Sequence, residues 1–241
     1  MDHIPGTEAS RNIAAGGHPG PLALVGGGEW SPGCAFDSEL LAHAGGEVLV
    51  LPTAAAYEHP ERSVAQAREW FASLGGTARG LDVLGRSDAQ DEKLAAEVAE
   101  ARFIYLSGGS PLHLRSVLKS SLVWDAIVAA WEGGAVLAGS SAGAMVLGDP
   151  MVDPRGGAFT LGLGLVAQLA IIPHYSGYSE KIRRTVSLAQ PGLVVVGLAE
   201  RTALVRDPAG TWRISGEGRA TLWLEGKETS LEALPHPSPR S

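Results

Sequence analysis

Ala135-Val136-Leu137-Ala138-Gly139-Ser140-Ser141-Ala142-Gly143-Ala144-Met145 is an apolar run that enters a Gly-x-Ser-x-Gly turn and leaves it in small, helix-forming residues. The spacing predicts a strand over 135–138, a sharp elbow, and a helix over 142–147. Gly139 and Gly143 have no side chains, so strand and helix can approach closely. The central serine is then pushed out at the carboxyl edge of a sheet, where ligands bind in open α/β folds. Ser140 is the neighbouring rival, but only Ser141 has a glycine two residues before it and another two residues after it. The Ala142 amide falls at a helix N-terminus, where it can donate to an oxyanion with help from the helix dipole. The same residues also suit a plain packing turn, so the elbow is weighed with what surrounds it.

Outward from the elbow, short continuous apolar runs alternate with helical patterns. Strands are predicted at 21–25, 47–51, 77–83, 102–106, 135–138, 166–172 and 193–198. Such unbroken apolar runs are expected of parallel strands buried on both faces. Helices are predicted at 60–74, 91–99, 111–119, 122–132, 142–147 and 178–189, with a further short helix ending near His43. In the first of these, Val64, Ala67 and Phe71 recur at helical spacing. Strand–helix alternation implies a three-layer α/β sandwich, with a mostly parallel central sheet and helices on both faces. Near the C-terminus the period changes. Segments 203–206, 211–215 and 220–224 are separated by Asp207-Pro208-Ala209-Gly210 and Gly216-Glu217-Gly218, which reads as a C-terminal antiparallel meander on the sheet edge. The expected organisation is a flexible arm over 1–20, one domain over 21–234, and a proline-rich tail over 235–241.

Bulk properties narrow the function classes. With 241 residues, 45% hydrophobic and 19% charged, the chain can bury a sizeable core without disulfide or metal staples. A net charge of −7 argues against nonspecific binding to nucleic acid or an anionic membrane. The first 20 residues are polar and glycine-rich, unlike a secretory signal. The most apolar stretch, 161–172, is too short and too broken by Gly162, Gly164 and Gln168 to span a bilayer. One cysteine, Cys34, fits a reducing compartment, so a cytoplasmic location is expected. No cofactor or metal is expected. Gly26-Gly27-Gly28 fails as a dinucleotide fingerprint because Ser31 occupies the last glycine position and Glu47 opens, rather than closes, the next strand. No phosphate-loop lysine motif and no His/Cys cluster with metal-ligand spacing occurs. The expected partner is a small peptide, with a homodimer left open.

A serine hydroxyl needs a positioned base to attack at neutral pH. Of seven histidines, His3, His18 and His236 lie in the arms, His43 lies in or just after a short helix, His113 falls in the helix that begins near Pro111, and His59 begins a helix after a strand-end loop. His174 follows an apolar strand in Ile171-Ile172-Pro173-His174-Tyr175-Ser176, and so emerges at the sheet edge expected for Ser141. Its alternative is an ordinary loop histidine. A carboxylate usually fixes the tautomer of such a base. Glu200 closes the run Leu193-Val194-Val195-Val196-Gly197-Leu198-Ala199-Glu200, with a surface pair to Arg201 as the alternative. Ser141, His174 and Glu200 thus each close a predicted strand on one edge, in an order unlike the Ser…Asp…His order of α/β-hydrolases. A second oxyanion donor is sought in Ser107-Gly108-Gly109-Ser110-Pro111, where Gly109 is favoured over Gly108. The alternative there is a helix-entry turn with Pro111 in the first helical position.

The Gly108-Gly109 turn, the elbow 139–144, the Pro173-His174 pair, and Gly197-Leu198-Ala199-Glu200-Arg201-Thr202-Ala203-Leu204 come in the order of a known family. Gly27-Gly28 and Pro52-Thr53-Ala54-Ala55 also fit. The chain resembles the aspartyl dipeptidase and cyanophycinase family of serine peptidases, whose fold is like the class I glutamine amidotransferase domain. The resemblance spans about residues 21–224. It implies that Ser141 attacks, His174 is the base, Glu200 orients it, and Gly109 with Ala142 forms the oxyanion hole. Glutaminase activity would need cysteine where Ser141 stands. Cyanophycinases carry Asp-Gln before the histidine and several arginines after it. Here Ile172-Pro173 precede it, and Tyr178, Ser179 and Glu180 follow. Ser110 stands where family members often have Asn or Asp. Gly108, Ser110 and Arg183 are the substrate-binding candidates, Arg183 as a bidentate partner for a carboxylate. For Arg183 the alternative is a solvated helix face, since Ile182, Val186 and Ala189 form the apolar stripe. Peptide hydrolysis through an acyl-enzyme is the leading expectation. A non-catalytic ligand-binding member of the same fold and a small-ester hydrolase are the rivals.

Overall fold

The computed structural model describes residues 18–235, so residues 1–17 of the arm and 236–241 of the tail, with His3 and His236, lie outside the described residues. In chain order the first half runs β1 (Leu22–Val25), α1 (Phe36–Ala44), β2 (Glu47–Leu51), α2 (Pro60–Ser73), β3 (Thr77–Gly80), α3 (Glu92–Ala99), β4 (Phe103–Leu106), α4 (Pro111–Leu118), α5 (Leu122–Glu132), β5 (Val136–Ser140) and α6 (Ala142–Leu147). The second half runs β6 (Gly148–Asp149), β7 (Met151–Val152), β8 (Phe159–Thr160), β9 (Val166–Ala167), β10 (Leu169–Ile172), α7 (Glu180–Ser187), β11 (Val194–Leu198), β12 (Thr202–Arg206), β13 (Trp212–Gly216), β14 (Ala220–Leu224) and β15 (Lys227–Thr229). Helix starts follow local chemistry. Asp91 accepts from the amides of Lys93 and Leu94, the Ser110, Ser121 and Ser179 hydroxyls cap α4, α5 and α7, and Pro60 and Pro111 occupy first positions.

A seven-stranded sheet has the order β13-β12-β1-β5-β4-β2-β3. The five strands from β1 to β3 are parallel, and β12 and β13 close the other edge antiparallel. Successive side chains point to opposite faces of a strand. Leu22, Leu24, Leu49, Leu51, Ile104, Leu106 and Leu137 therefore meet α4 and α5 on one face. Ala23, Val25, Val48, Val50, Phe103, Tyr105, Val136 and Ala138 meet α1 and α2 on the other. The result is the expected α/β sandwich with helices on both faces. Phe71 of α2 and Leu40 of α1 are fully buried, and each such side chain contributes about 1.5–3 kcal/mol relative to exposure. Tertiary burial of one stripe, more than helix propensity, holds these helices in place.

The second half departs from a single sheet. Gln168 adopts φ 60, a left-handed conformation that breaks the predicted strand 166–172 into β9 and β10. β10 pairs with β11 in parallel, inside a separate six-stranded sheet of order β15-β14-β11-β10-β6-β9. The predicted antiparallel strands near the C-terminus are present, but they are shared out. β12 and β13 form a hairpin on β1, whereas β14 crosses to β11. There Trp223 packs edge-on against Tyr175 at 5.7 Å between ring centroids, in a cluster with Met145, Val152, Val186 and Val195. α6 is buried along its whole length, with Ala144 and Val146 in the main core and Met145 in this third cluster.

One buried titratable group makes stability depend on pH. Asp37 of α1 is completely buried, and its carboxylate accepts from Trp70 Nε1 at 2.9 Å. Burial pushes its pKa from the ordinary 3.8 up to about 7, and the Trp70 bond only partly offsets this. The folded form thus holds a proton that the unfolded chain has released. The contribution of Asp37 to stability should be full below about pH 4 and be lost as pH rises to about 7, by up to about 4 kcal/mol. Asp37→Asn is expected to remove this loss, checked by urea midpoints of both proteins across that range.

Candidate active site

The elbow is as tight as its glycines suggest. A Cβ on Gly139 would lie 2.5 Å from the carbonyl carbon of Gly143, and one on Gly143 would lie 2.4 Å from the Leu106 oxygen. Ser141 sits between them at φ 48, ψ −105, a costly conformation for a residue with a side chain. Its amide donates to Val25 O at 2.9 Å, which fixes it at the tips of β1 and β5.

His174 Nε2 lies 2.9 Å from Ser141 Oγ, and His174 Nδ1 lies 3.0 Å from Glu200 Oε1. The geometry fits one tautomer, in which Nδ1–H donates to the carboxylate and Nε2 accepts from the hydroxyl. Serine, imidazole and carboxylate therefore form one connected chain, although Ser141 follows a strand of the first sheet and the other two follow β10 and β11 of the second. Arg201 pairs with Glu217 at 3.2 Å, which leaves Glu200 to the histidine.

The loop 26–28 joins the two sheets at this point. Gly26 O accepts from the His174 amide and Gly27 O from the Arg201 amide, both at 2.7 Å. Tyr175 N donates to Leu198 O at 2.9 Å and links the β10 and β11 tips to each other. The imidazole rests against bare backbone: a Cβ on Gly27, which adopts φ 115, would lie 2.3 Å from His174 Cε1. The glycine run set aside as a nucleotide loop is the seat of this histidine.

The Gly-Gly turn after β4 resolves into two different amides. Gly108 N–H donates to Glu29 Oε1 at 3.3 Å. Gly109, at φ 133, makes no amide hydrogen bond to the protein among the described residues, and it lines one cavity together with Ser141 and His174. Ala142 is the first residue of α6, where amides have no partner within the helix. Gly109 and Ala142 are thus placed as two amides beside the serine. Ser110 and Arg183 are not placed as substrate ligands. The Ser110 hydroxyl accepts from His113 N at 3.3 Å as a helix cap, and neither residue lines the cavity. Arg183 pairs with Glu180 at 2.6 Å on the exposed face of α7, as its sequence alternative foresaw. Gly108, with its amide taken, packs near Ser141 Cβ.

Among the other described histidines, His18 and His43 are exposed, His59 pairs with Glu61 at 3.0 Å, and the His113 ring donates to Leu84 O at 2.9 Å. None of these is hydrogen-bonded to Ser141. Among the described residues no cluster of three or more His, Cys, Asp or Glu is placed to hold a metal ion, and no helix is long and apolar enough to cross a membrane.

Residues 22–210 match the family model described as Peptidase family S51. The chain belongs to this family. It is a serine-type peptidase, related to the cyanophycinase and aspartyl dipeptidase group. It is 28% identical over 238 residues to the cyanophycinases of Synechococcus elongatus and Thermosynechococcus vestitus, covering 91% of this chain and 72% of each relative. A crystal structure of a peptidase from an acI-B1 actinobacterium superposes with a TM-score of 0.79 at 29% identity, over 89% of this chain and 94% of that one.

One residue beside the site of this S51 peptidase gave no signal in the sequence. Glu29 is half-buried and joins two parts of the centre. Its Oε2 accepts from Ser140 Oγ at 2.7 Å, while its Oε1 accepts from the Gly108 amide. It follows a glycine run and precedes no regular element, so neither periodicity nor a motif marks it. Glu29→Ala should cost about 1–3 kcal/mol of stability by orphaning both donors, read from denaturant midpoints. Gly27→Ala is expected to displace the imidazole and slow fluorophosphonate labelling of Ser141 by about 100-fold. Gly156→Ala, whose added carbon meets nothing within 4 Å, should label at the parent rate.

Proposed function

We propose that this peptidase hydrolyses a small peptide, in the manner of a dipeptidase or exopeptidase, through a Ser141–His174–Glu200 triad and an acyl-enzyme. The observation that carries the reading is the unbroken chain of contacts, 2.9 Å from Ser141 Oγ to His174 Nε2 and 3.0 Å from His174 Nδ1 to Glu200. Ser141 Oγ attacks the peptide carbonyl while its proton passes to His174 Nε2. The carbonyl oxygen becomes an oxyanion facing the amides of Gly109 and Ala142. His174 then returns the proton to the leaving amine as the C–N bond breaks, which leaves an ester on Ser141. Water adds to that ester with His174 again as base, and the acid product leaves with the serine restored. Glu200 holds the tautomer and balances the imidazolium formed in each half.

The strained backbone at Ser141 supports the nucleophile assignment, because such strain clusters at reactive turns. The adjoining cavity of about 440 Å³ supports a small substrate rather than a long folded one. Two relatives are named cyanophycinases. The flanking residues Ile172 and Pro173 belong to this chain, so its substrate is read from its own site. A cytoplasmic location is proposed with it, supported by the single buried Cys34.

A fluorophosphonate should modify Ser141 and no other serine, as mapped by peptide mass analysis. Ser141→Ala and His174→Ala should each lower dipeptide turnover by about four to six powers of ten while keeping the thermal midpoint near that of the parent. Retained turnover in Ser141→Ala would overturn the assignment. Ester cleavage without peptide cleavage would favour an esterase.

A further inference from the structure

The cavity that opens on Ser141 and His174 has a marked internal division. Its inner wall is formed by Met145, Val152 and Thr185, which are 5%, 7% and 2% exposed. Ile172 at the end of β10 and Ile182 of α7 add half-buried apolar faces. The only hydroxyl on the inner wall is already used, since Thr185 Oγ1 donates to Lys181 O at 3.2 Å. The inner wall therefore offers a charged substrate group no ionic partner and no free hydroxyl proton.

Two charged side chains, Asp153 and Lys181, also line the cavity. Asp153 is engaged by Arg155, which donates to its carboxylate from the backbone amide at 2.9 Å and from the guanidinium at 3.0 and 2.6 Å. Lys181 is exposed and has no ion-pair partner among the described residues. Its Cε would lie 3.8 Å from a Cβ on Gly157, so its stem runs beside the Asp153–Gly157 turn. A charged substrate side chain seated against the inner wall would leave water without an ionic partner there, which is costly. An aliphatic one would exchange water for apolar surface, which is favourable.

We propose that this cavity is a side-chain site for an uncharged aliphatic residue flanking the scissile bond, so that the substrates are small peptides bearing a leucine-, isoleucine-, valine- or methionine-like group there. The inference rests on the reading of Ser141 as the nucleophile, because that reading places the scissile bond at the cavity mouth. The exposed lysine makes the inference a sharp one. If Lys181 governed selection instead, an acidic side chain would be preferred.

The test compares dipeptides that carry Leu, Asp, Lys or Ala on either side of the bond. Binding is measured by calorimetry to Ser141→Ala, and kcat/KM is measured with the parent enzyme. A leucyl peptide should exceed the aspartyl and lysyl ones by about 10–100-fold at one of the two positions. Ile182→Lys should bring that preference close to parity and raise the affinity for the aspartyl peptide. Should Ile182→Lys fail to fold, Ile172→Thr serves, with an expected loss of leucyl preference of about 10-fold. Aspartyl or lysyl peptides that match leucyl ones at both positions would overturn the proposal, as would a leucyl preference untouched by either variant. Absence of fluorophosphonate labelling at Ser141 would instead overturn the catalytic reading. The binding comparison, which needs no turnover, would still judge the cavity.

Discussion

The carbonyls of Gly26 and Gly27 accept from the amides of His174 and Arg201 at 2.7 Å each. These two bonds tie the segments that follow β10 and β11 to the tip of β1, where two sheets that share no strand meet over a common core. The seven-stranded sheet supplies Ser141 and the Gly108-Gly109 turn, and the six-stranded sheet supplies His174 and Glu200. A hydrogen bond tolerates only a few tenths of an ångström before it weakens. The loop therefore sets the reach of the imidazole more narrowly than core packing alone would. Glycine is required here by space as well as by conformation, since the imidazole occupies the volume that a Cβ on Gly27 would need.

Much of this was legible in the residues. Parallel strands buried on both faces read as unbroken apolar runs, and β1, β2, β4, β5 and β11 fall on such runs. The elbow declared itself because both of its glycines answer a local steric demand, one against Gly143 and the other against Leu106. His174 and Glu200 were found by position, as residues that close apolar strands. What local pattern cannot show is which sheet a strand joins. β14 looks like the third strand of a meander, and only the open edge of β11 and the packing of Trp223 on Tyr175 take it elsewhere. The break at Gln168 was hidden for a similar reason, since nothing in its apolar neighbours announces a left-handed residue.

Polar residues with long-range partners were the least legible. Glu29 meets Ser140 and Gly108, which lie 111 and 79 positions away, and its immediate neighbours give no hint of either contact. Arg183 shows the opposite case. Its charge suggested a carboxylate ligand, yet a nearer acid on the same helix, Glu180, satisfies it. Local pairs of this kind at the surface form readily and contribute little, so a cation near a reactive centre is weak evidence of a ligand site. Ile172 and Pro173 carried more information as apolar residues directly before the histidine, since both turn out to line the cavity beside it.

The division of the centre between two sheets has a consequence for the chain while it is being made. Ser141 leaves the ribosome well before His174 and Glu200, and β12, which flanks β1 and follows Glu200 directly, comes later still. Until about residue 206 has emerged, the hydroxyl has no complete relay behind it. A chain that stops short of Glu200 therefore leaves the Ser141 hydroxyl and the His174 imidazole without the carboxylate that completes their line of hydrogen bonds.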